Sequence, residues 1–401
     1  MALPGRWDPA VPPGHGSELP WICFGCLSSG NRSVRRQSSS LKVDFLFLTF
    51  QSSSPRFPCH ESEPSVIPGG GMAEEEAKYS ILREVGRGSY GVVYEAVANR
   101  TKRRVAVKRM PCNAPESAEL ALQEFWALRS IQRQHQNVIQ LEECVLQHGR
   151  LFQPLENRES GSHLLLVETC LKGRSCAEPR RGCWLWFVME LCQGGTMNEF
   201  LLARRGPDAP LNARFMRQLS GAVAFLHRHG IVHRDLKADN VLVACGPGGP
   251  VVKVSDFGLS RVCAGAVSRQ RFSSACGSSF YMAPEVWEGH ATAKADVFAL
   301  GVIFWAMAER ITFRDGDSGR ELLGTYIRRG KELIPLGEAL LENPNLKLQI
   351  PMKNKESMPE DLCQLLHHML AFNPKERLDA SQLEVQIQQI SYGKKRKRSG
   401  S

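Results

Sequence analysis

Residues 231–258, IVHRDLKADNVLVACGPGGPVVKVSDFG, constrain the fold more than any other stretch of the chain. Two apolar runs, NVLVA and PVVKV, flank the turn signal CGPGG, so the segment reads as strand, Gly/Pro turn, strand. That pairing returns the chain on itself and brings Asn240, at the start of the first strand, to the same edge as Asp256, at the end of the second. An amide oxygen beside a carboxylate suits a hard cation such as Mg²⁺. Asp235, five residues before Asn240, is placed to accept or orient the proton of an incoming hydroxyl. Lys237, two residues after it, can reach a transferred phosphoryl group and offset its charge.

A second constraint lies upstream in VGRGSYGVVYEA, where Gly86, Gly88 and Gly91 fill G-x-G-x-x-G. A dinucleotide fingerprint runs strand, glycines, helix, and a Walker loop needs G-K-[ST]. Here short apolar runs stand on both sides, SILREV before and VVYEAV after, so the glycines join two strands and fit a hairpin that covers phosphates. The next run, RRVAVKRM, reads as a third antiparallel strand, on which Ala106 and Lys108 share a face. The small residue can then lie over a flat base while the ammonium reaches the α- and β-phosphates; the plain alternative is a surface lysine with its stem along the sheet. A helix follows, opened by Asn113 and Pro115, with Leu120, Glu124, Leu128 and Ile131 on one face. Glu124 is thus turned inward, and a buried carboxylate needs a partner, for which Lys108 is the expected cation.

The rest of the chain divides by texture. Residues 1–78 form an N-terminal extension whose bias toward Ser, Pro and Gly (RSVRRQSSS, QSSSPRFP, IPGGG) cannot bury enough apolar area to order itself. Between NVIQLEECVLQ and WLWFVMEL lies a polar interruption, about 147–182, expected as a surface insertion between adjacent strands. Phe215, Leu219, Ala222 and Leu226 form one helical stripe, and ADVFALGVIFWAM is apolar on nearly every face, as a helix in the middle of a domain must be. The thirteen cysteines show no tight, even spacing and imply reduced thiols. Cys23, Cys26, Cys59 and His60 lack the second regular pair of a zinc site. FLFLTF at 45–50 is far shorter than the ~20 residues that cross a bilayer, so no membrane partner is expected.

Taken as an ordered set, residues 79–390 resemble the eukaryotic serine/threonine protein kinases. The resemblance implies an α+β, bilobal fold: a small antiparallel-sheet lobe with one helix at 79–189, and a larger, mainly helical lobe at 190–390. It implies ATP and Mg²⁺ as cofactors, with Asp235, Lys237, Lys108 and Glu124 as catalytic residues and Asn240 and Asp256 holding the metal. It further implies that Val85 and Val93 sandwich the adenine alongside Ala106, that Met189 is the gatekeeper, and that Glu190 to Cys192 form the hinge. An activation segment from Asp256 to Ala283-Pro284-Glu285 follows, with Arg377 as the buried partner of Glu285, and Lys237 marks Ser/Thr over Tyr acceptors. Ala238 departs from the usual proline, Ser278 from threonine, and Phe298 and Ala299 from Trp and Ser; none removes a group that touches phosphate or metal. The alternative to an active enzyme is a pseudokinase scaffold that only binds partners.

VGRGSYGVVYEAV, ELALQEFWALRSIQ and YMAPEVWEGH are similar to a small group of nuclear kinases that interact with a PDZ-LIM protein, which implies a nuclear enzyme, with some in the cytoplasm, and actin-linked partners. Lys394, Lys395, Arg396, Lys397 and Arg398 supply half of the formal charge of +10 and read as a nuclear import signal recognised by the import machinery, in a basic tail at 391–401. The same run would bind nucleic acid only non-specifically, since no aromatic ladder for stacking accompanies it. Ser274 is the expected site of activating autophosphorylation, with Ser273 as second candidate, because Arg234 offers a guanidinium to a phosphate there. Asp239 is expected to favour a basic side chain before the target serine.

Overall fold

The alternation read from the first strands builds one antiparallel sheet in the computed structural model, which describes residues 78–88, 90–131, 135–148, 151–155, 183–263, 277–316, 318–352 and 358–390. Its strands are β1 (Tyr79–Gly88), β2 (Gly91–Ala98), β3 (Arg103–Pro111), β4 (Leu141–His148), β5 (Leu151–Pro154) and β6 (Cys183–Glu190), in the order β1-β2-β3-β6-β4-β5. Register decides what each face carries. Val93 lies opposite Lys108, and Ala106 lies opposite Met189. Side chains directly opposite one another share a face, so these four residues line the same side of the sheet. The other side carries Ala96, Val105, Val107, Val145, Trp186 and Val188, which close into a separate small core.

Helix α1 (Pro115–Ser130) packs under the sheet, with Pro115 in its first turn and Ala118, Ala121, Phe125 and Leu128 buried. Ile131, counted in the same stripe from the sequence, is the C-cap. The expected insertion begins later than its polar composition suggested. Strand β4 runs on to His148 and β5 pairs back along it, Val145 opposite Pro154, so the interruption starts after Leu155 instead of at 147. Lys78, assigned to the N-terminal extension by composition, accepts a hydrogen bond from Asn99 N–H at 3.0 Å and so belongs to the folded part.

The second lobe is mainly helical. Thr196 and Glu199 form a reciprocal cap on α2 (Met197–Leu202), and Asp208 caps α3 (Ala209–Arg228). Phe215, Leu219, Ala222 and Leu226 of α3 are fully buried, as their spacing requires. The hairpin β8 (Val241–Gly246) and β9 (Gly249–Val254) forms as read, while β7 (Ile231–Val232) pairs with β10 (Arg261–Val262). After α4 (Pro284–Trp287) comes α5 (Lys294–Glu309), in which every residue from Ala295 to Met307 is buried. Each large apolar side chain so buried contributes ~1.5–3 kcal/mol, which makes α5 the post around which the lobe is built.

Two short hairpins follow within this mainly helical lobe, β11 (Thr312–Arg314) with β12 (Glu321–Leu323) and β13 (Tyr326–Arg329) with β14 (Glu332–Pro335). Strands of three or four residues are too short to show a period of two. Helices α6 (Leu336–Glu342), α7 (Glu360–Met369) and α8 (Ala380–Gln389) complete the fold. No helix among the described residues is long and apolar enough to cross a membrane.

Candidate active site

The inward carboxylate on α1 has found its cation. Lys108 Nζ on β3 donates to Glu124 Oε2 at 2.6 Å and Oε1 at 2.9 Å, and to Asp256 Oδ1 at 2.9 Å. Burial works against the Lys108 charge, but the two carboxylates outweigh it and hold the ammonium above its ordinary range. Burial alone would raise the Asp256 carboxyl; the adjacent ammonium instead holds it below the usual carboxylate value. Both groups are therefore charged at neutral pH. Three elements distant in sequence, β3, α1 and the end of the β8–β9 hairpin, thus meet at one polar point on the open side of the sheet.

The segment between β7 and β8 supplies the second group. Asn240 Nδ2 donates to the Asp235 carbonyl at 2.8 Å and to Asp235 Oδ2 at 2.9 Å, which leaves the amide oxygen as the donor atom for a cation. Lys237 Nζ lies 3.1 Å from Asp235 Oδ2 and donates to Ser278 Oγ at 2.7 Å. Ser278 in turn donates to Asp235 Oδ1, from its hydroxyl at 3.0 Å and its backbone N–H at 2.9 Å. A carboxylate, an ammonium and a hydroxyl are held together here.

This loop is clamped from behind by the buried post α5. Asp296 Oδ2 accepts from His233 N–H at 2.9 Å and faces His227 Nε2 at 2.8 Å, while its Oδ1 accepts from Arg234 N–H at 2.9 Å. The clamp holds Arg234 at φ 69°, a left-handed conformation that costs a residue with a side chain about 1–3 kcal/mol and persists only where surroundings enforce it. Asp256 shows the same left-handed backbone, φ 63°. Between the two, the His233 ring packs on Phe257 with centroids 5.1 Å apart.

The glycines of the loop differ in what surrounds them. A Cβ on Gly86 or Gly88 would meet nothing within 4 Å, so the protein's own packing does not demand glycine at either. Glycine at these two positions leaves the backbone open to close approach by a bound group. Gly91 differs, since a Cβ there would lie 2.5 Å from the Arg109 carbonyl oxygen, and close pairing of β2 on β3 fixes it. Val85, at a register shift between Glu84 and Gly86, is left 41% exposed, an apolar surface suited to a flat ring.

The protein kinase domain family matches residues 79–386. The chain belongs to that family. Over 325 residues it is 28% identical to the human serine/threonine-protein kinase ULK1, covering 78% of this chain and 25% of that protein. It is 29% identical over 294 residues to calcium-dependent protein kinase 24 of Arabidopsis thaliana, covering 70% and 44%. It is 30% identical over 252 residues to calcium/calmodulin-dependent serine/threonine-protein kinase 1 of Oryza sativa subsp. japonica, covering 59% and 36%. The chain thus spans less than half the length of each of these relatives.

Within this kinase fold the remaining residues named from the sequence also have defined places. Met189 is buried at the end of β6, and the Glu190 carboxylate accepts from Gln140 N–H and pairs with Lys253, each at 2.9 Å, tying the segment between the lobes to both. Burial, and after it the Glu190 charge, push the Cys192 thiol up to about 12. Arg377 is fully buried and holds Glu285 with two bonds of 2.6 and 2.8 Å, while also donating to the carbonyls of Ala371 and Phe372. Phe298, one of the departures, lies 4.9 Å from the Arg377 guanidinium, and Ala238, another, is fully buried. Ser273, Ser274, the Cys23–His60 region and Lys394 to Arg398 lie outside the described residues. Sequence reasoning missed Gly277, whose φ of 116° and whose Cβ clearance of 2.7 Å to the Arg234 carbonyl oxygen both demand glycine. It also gave Asp296 no role; the signal was its place at the start of an otherwise apolar helix.

Proposed function

We propose that this chain is a serine/threonine protein kinase that moves the γ-phosphoryl group of MgATP to a protein hydroxyl. The carrying observation is the joint placement of Lys108 between Glu124 and Asp256, with Asp235, Lys237 and the Ser278 hydroxyl at the same mouth. Lys108, fixed by Glu124, would bind the α- and β-phosphates, and the Gly86 and Gly88 backbone would cover them. Asn240 and Asp256 would hold Mg²⁺, which when bound neutralises phosphate charge. Val85, Val93, Ala106 and Met189 would enclose the adenine, with Glu190 and Cys192 beside it. Asp235 would orient the acceptor hydroxyl and take its proton, and Lys237 would offset charge on the group in transfer. Most of the rate enhancement then comes from positioning and electrostatic stabilisation, as phosphoryl transfer requires.

The proposed acceptor class rests on Lys237 and its bond to Ser278 beside Asp235. The proposed address is the nucleus, supported by the basic run Lys394 to Arg398 and by resemblance to the nuclear kinases that interact with a PDZ-LIM protein, serine/threonine-protein kinase 35 in particular. Autophosphorylation is proposed at Ser274, or Ser273, close in sequence to Ser278. The decisive assay is phosphotransfer from radiolabelled ATP to a mixed peptide library, comparing wild type with Asp256→Ala and Asp235→Asn. Incorporation that falls at least a hundredfold in both variants supports the enzyme; equal incorporation in all three removes it and leaves the scaffold reading.

A further inference from the structure

The hairpin β11–β12 is docked firmly against the mouth of the cleft. Phe313 stacks on Phe280, four residues before Pro284, with centroids 3.9 Å apart and planes 17° from parallel. The Tyr281 hydroxyl donates to the Leu323 carbonyl. Buried Asn198, on α2, grips the same strand twice, donating to the Glu321 carbonyl at 3.0 Å and accepting from Leu323 N–H at 2.8 Å. The hairpin is thereby tied to three parts of the substrate side: α2, the segment before α4, and, through Arg320, the loop that carries Asp235.

Arg320 Nη2 lies 3.1 Å from Asp239 Oδ1 and 3.2 Å from Glu199 Oε1. Asp239 sits in the loop between Lys237 and Asn240, and its side chain is only 16% exposed; Glu199 comes from α2. Burial pushes the Asp239 carboxyl up, and Arg320 followed by Lys237 pulls it back part of the way. Two carboxylates converging beside Asp235 form a receptor for a guanidinium, of which the sequence reading had only Asp239. In the folded protein a guanidinium is already there, and it belongs to the chain itself.

We propose that Arg320 is a specificity-determining residue: it occupies the acidic subsite made by Asp239 and Glu199, and so suppresses selection for acceptor peptides that carry a basic residue at the position reaching that subsite. The inference rests on the kinase reading and corrects the basic preference expected from Asp239 alone. A peptide arginine at this point must displace Arg320, which the docked hairpin keeps in place, or lie beside a like charge that already bonds one oxygen of each carboxylate. Neutral side chains meet neither cost.

The test uses the full chain and serine peptides in which arginine or norleucine is placed in turn at each of the five positions before the acceptor. Peptide affinity is read by fluorescence anisotropy, and phosphotransfer is read separately. In Arg320→Ala the ratio of affinities for arginine over norleucine should rise about tenfold at one position, the size of one charge-assisted hydrogen bond in a half-exposed site. Asp239→Asn added to that variant should abolish the rise. Thermal unfolding of each variant verifies that the hairpin stays docked, and Arg320→Gln, which keeps length and loses charge, should behave like the alanine variant. An unchanged ratio at every position in folded Arg320→Ala overturns the proposal. Absence of phosphotransfer in wild type would instead strike the kinase reading, while the anisotropy ratios still decide the role of Arg320.

Discussion

Replacing Asp296 by asparagine removes one charge from a buried point that touches no substrate, yet the structure assigns it a large effect. The carboxylate faces three nitrogens, from His227, His233 and Arg234, at 2.8–2.9 Å, and is 1% exposed. An asparagine amide must turn its nitrogen toward one of those groups, so at least one buried backbone N–H is left facing a donor or unpaired, at a cost of about 1–3 kcal/mol. The bonds that remain lose their charge assistance, which adds about 1 kcal/mol. A total near 3 kcal/mol lowers the urea midpoint by about 1 M if m is about 3 kcal/mol per M. With the clamp loosened, Arg234 can leave its left-handed conformation and carry Asp235 with it, and a shift of about 1 Å at a reacting group costs roughly a hundredfold in kcat. KM for ATP should hardly move, because Lys108 and Glu124 are anchored on other elements. Acidity supplies an internal check. Burial raises the Asp296 carboxyl, but the hydrogen bond and charge of His227 and the donors beside it hold it below its ordinary value. A carboxylate depressed in the folded state adds stability that is complete above the unfolded pKa of about 3.9 and disappears as pH falls through the lower, folded one. The difference between wild type and Asp296→Asn should therefore be full at pH 6 and shrink only below about pH 4. A midpoint within about 0.2 M of wild type, together with kcat within about twofold, would refute this reasoning.

Arg377→Met should be costlier to the fold, since it strands the Glu285 carboxylate and two backbone carbonyls in a site where Arg377 is fully buried; the expected loss is about 3–5 kcal/mol by urea unfolding. A loss under about 1 kcal/mol means that the pair is not the bond it is taken for. At pH 7.5 the Cys192 thiol, pushed up to about 12, should resist iodoacetamide in the native protein while exposed Cys245 is labelled. Peptide mapping that finds Cys192 modified at the same rate as Cys245 argues against that environment.

What the sequence revealed and what it concealed follow one physical distinction. Lys108, Glu124, Asp235, Asn240 and Asp256 were legible because phosphate and metal chemistry fixes both the residue type and its offset from glycines or from a neighbouring acid. The stripes of α3 and α5 were legible because burial imposes a period, or in α5 its absence. Strand β5 was not, being four residues long, ending in proline and leading into polar sequence. Arg320 was not, because its meaning lies in contacts with Asp239 and Glu199, 81 and 121 positions away along the chain. A surface arginine in a glycine-rich turn has no local mark that sets it apart from a solvated one. Gly277 and Asp296 stand between these cases: each carries a demand set by groups distant in sequence, the Arg234 carbonyl for Gly277 and His227, His233 and Arg234 for Asp296, and one sequence cannot display which glycine or aspartate bears it.

Strand β6 joins two regions with opposite requirements. At its far end Cys183 is pinned on both sides, its N–H donating to Asn113 Oδ1 at 2.6 Å and its carbonyl accepting from Cys112 N–H at 2.8 Å. At its near end, seven residues along the strand, is Glu190, and at ~3.4 Å per residue the two ends stand roughly 24 Å apart. The pin fixes where β6 enters the sheet, and with it the register that delivers Met189 and Glu190 at the other end of the strand.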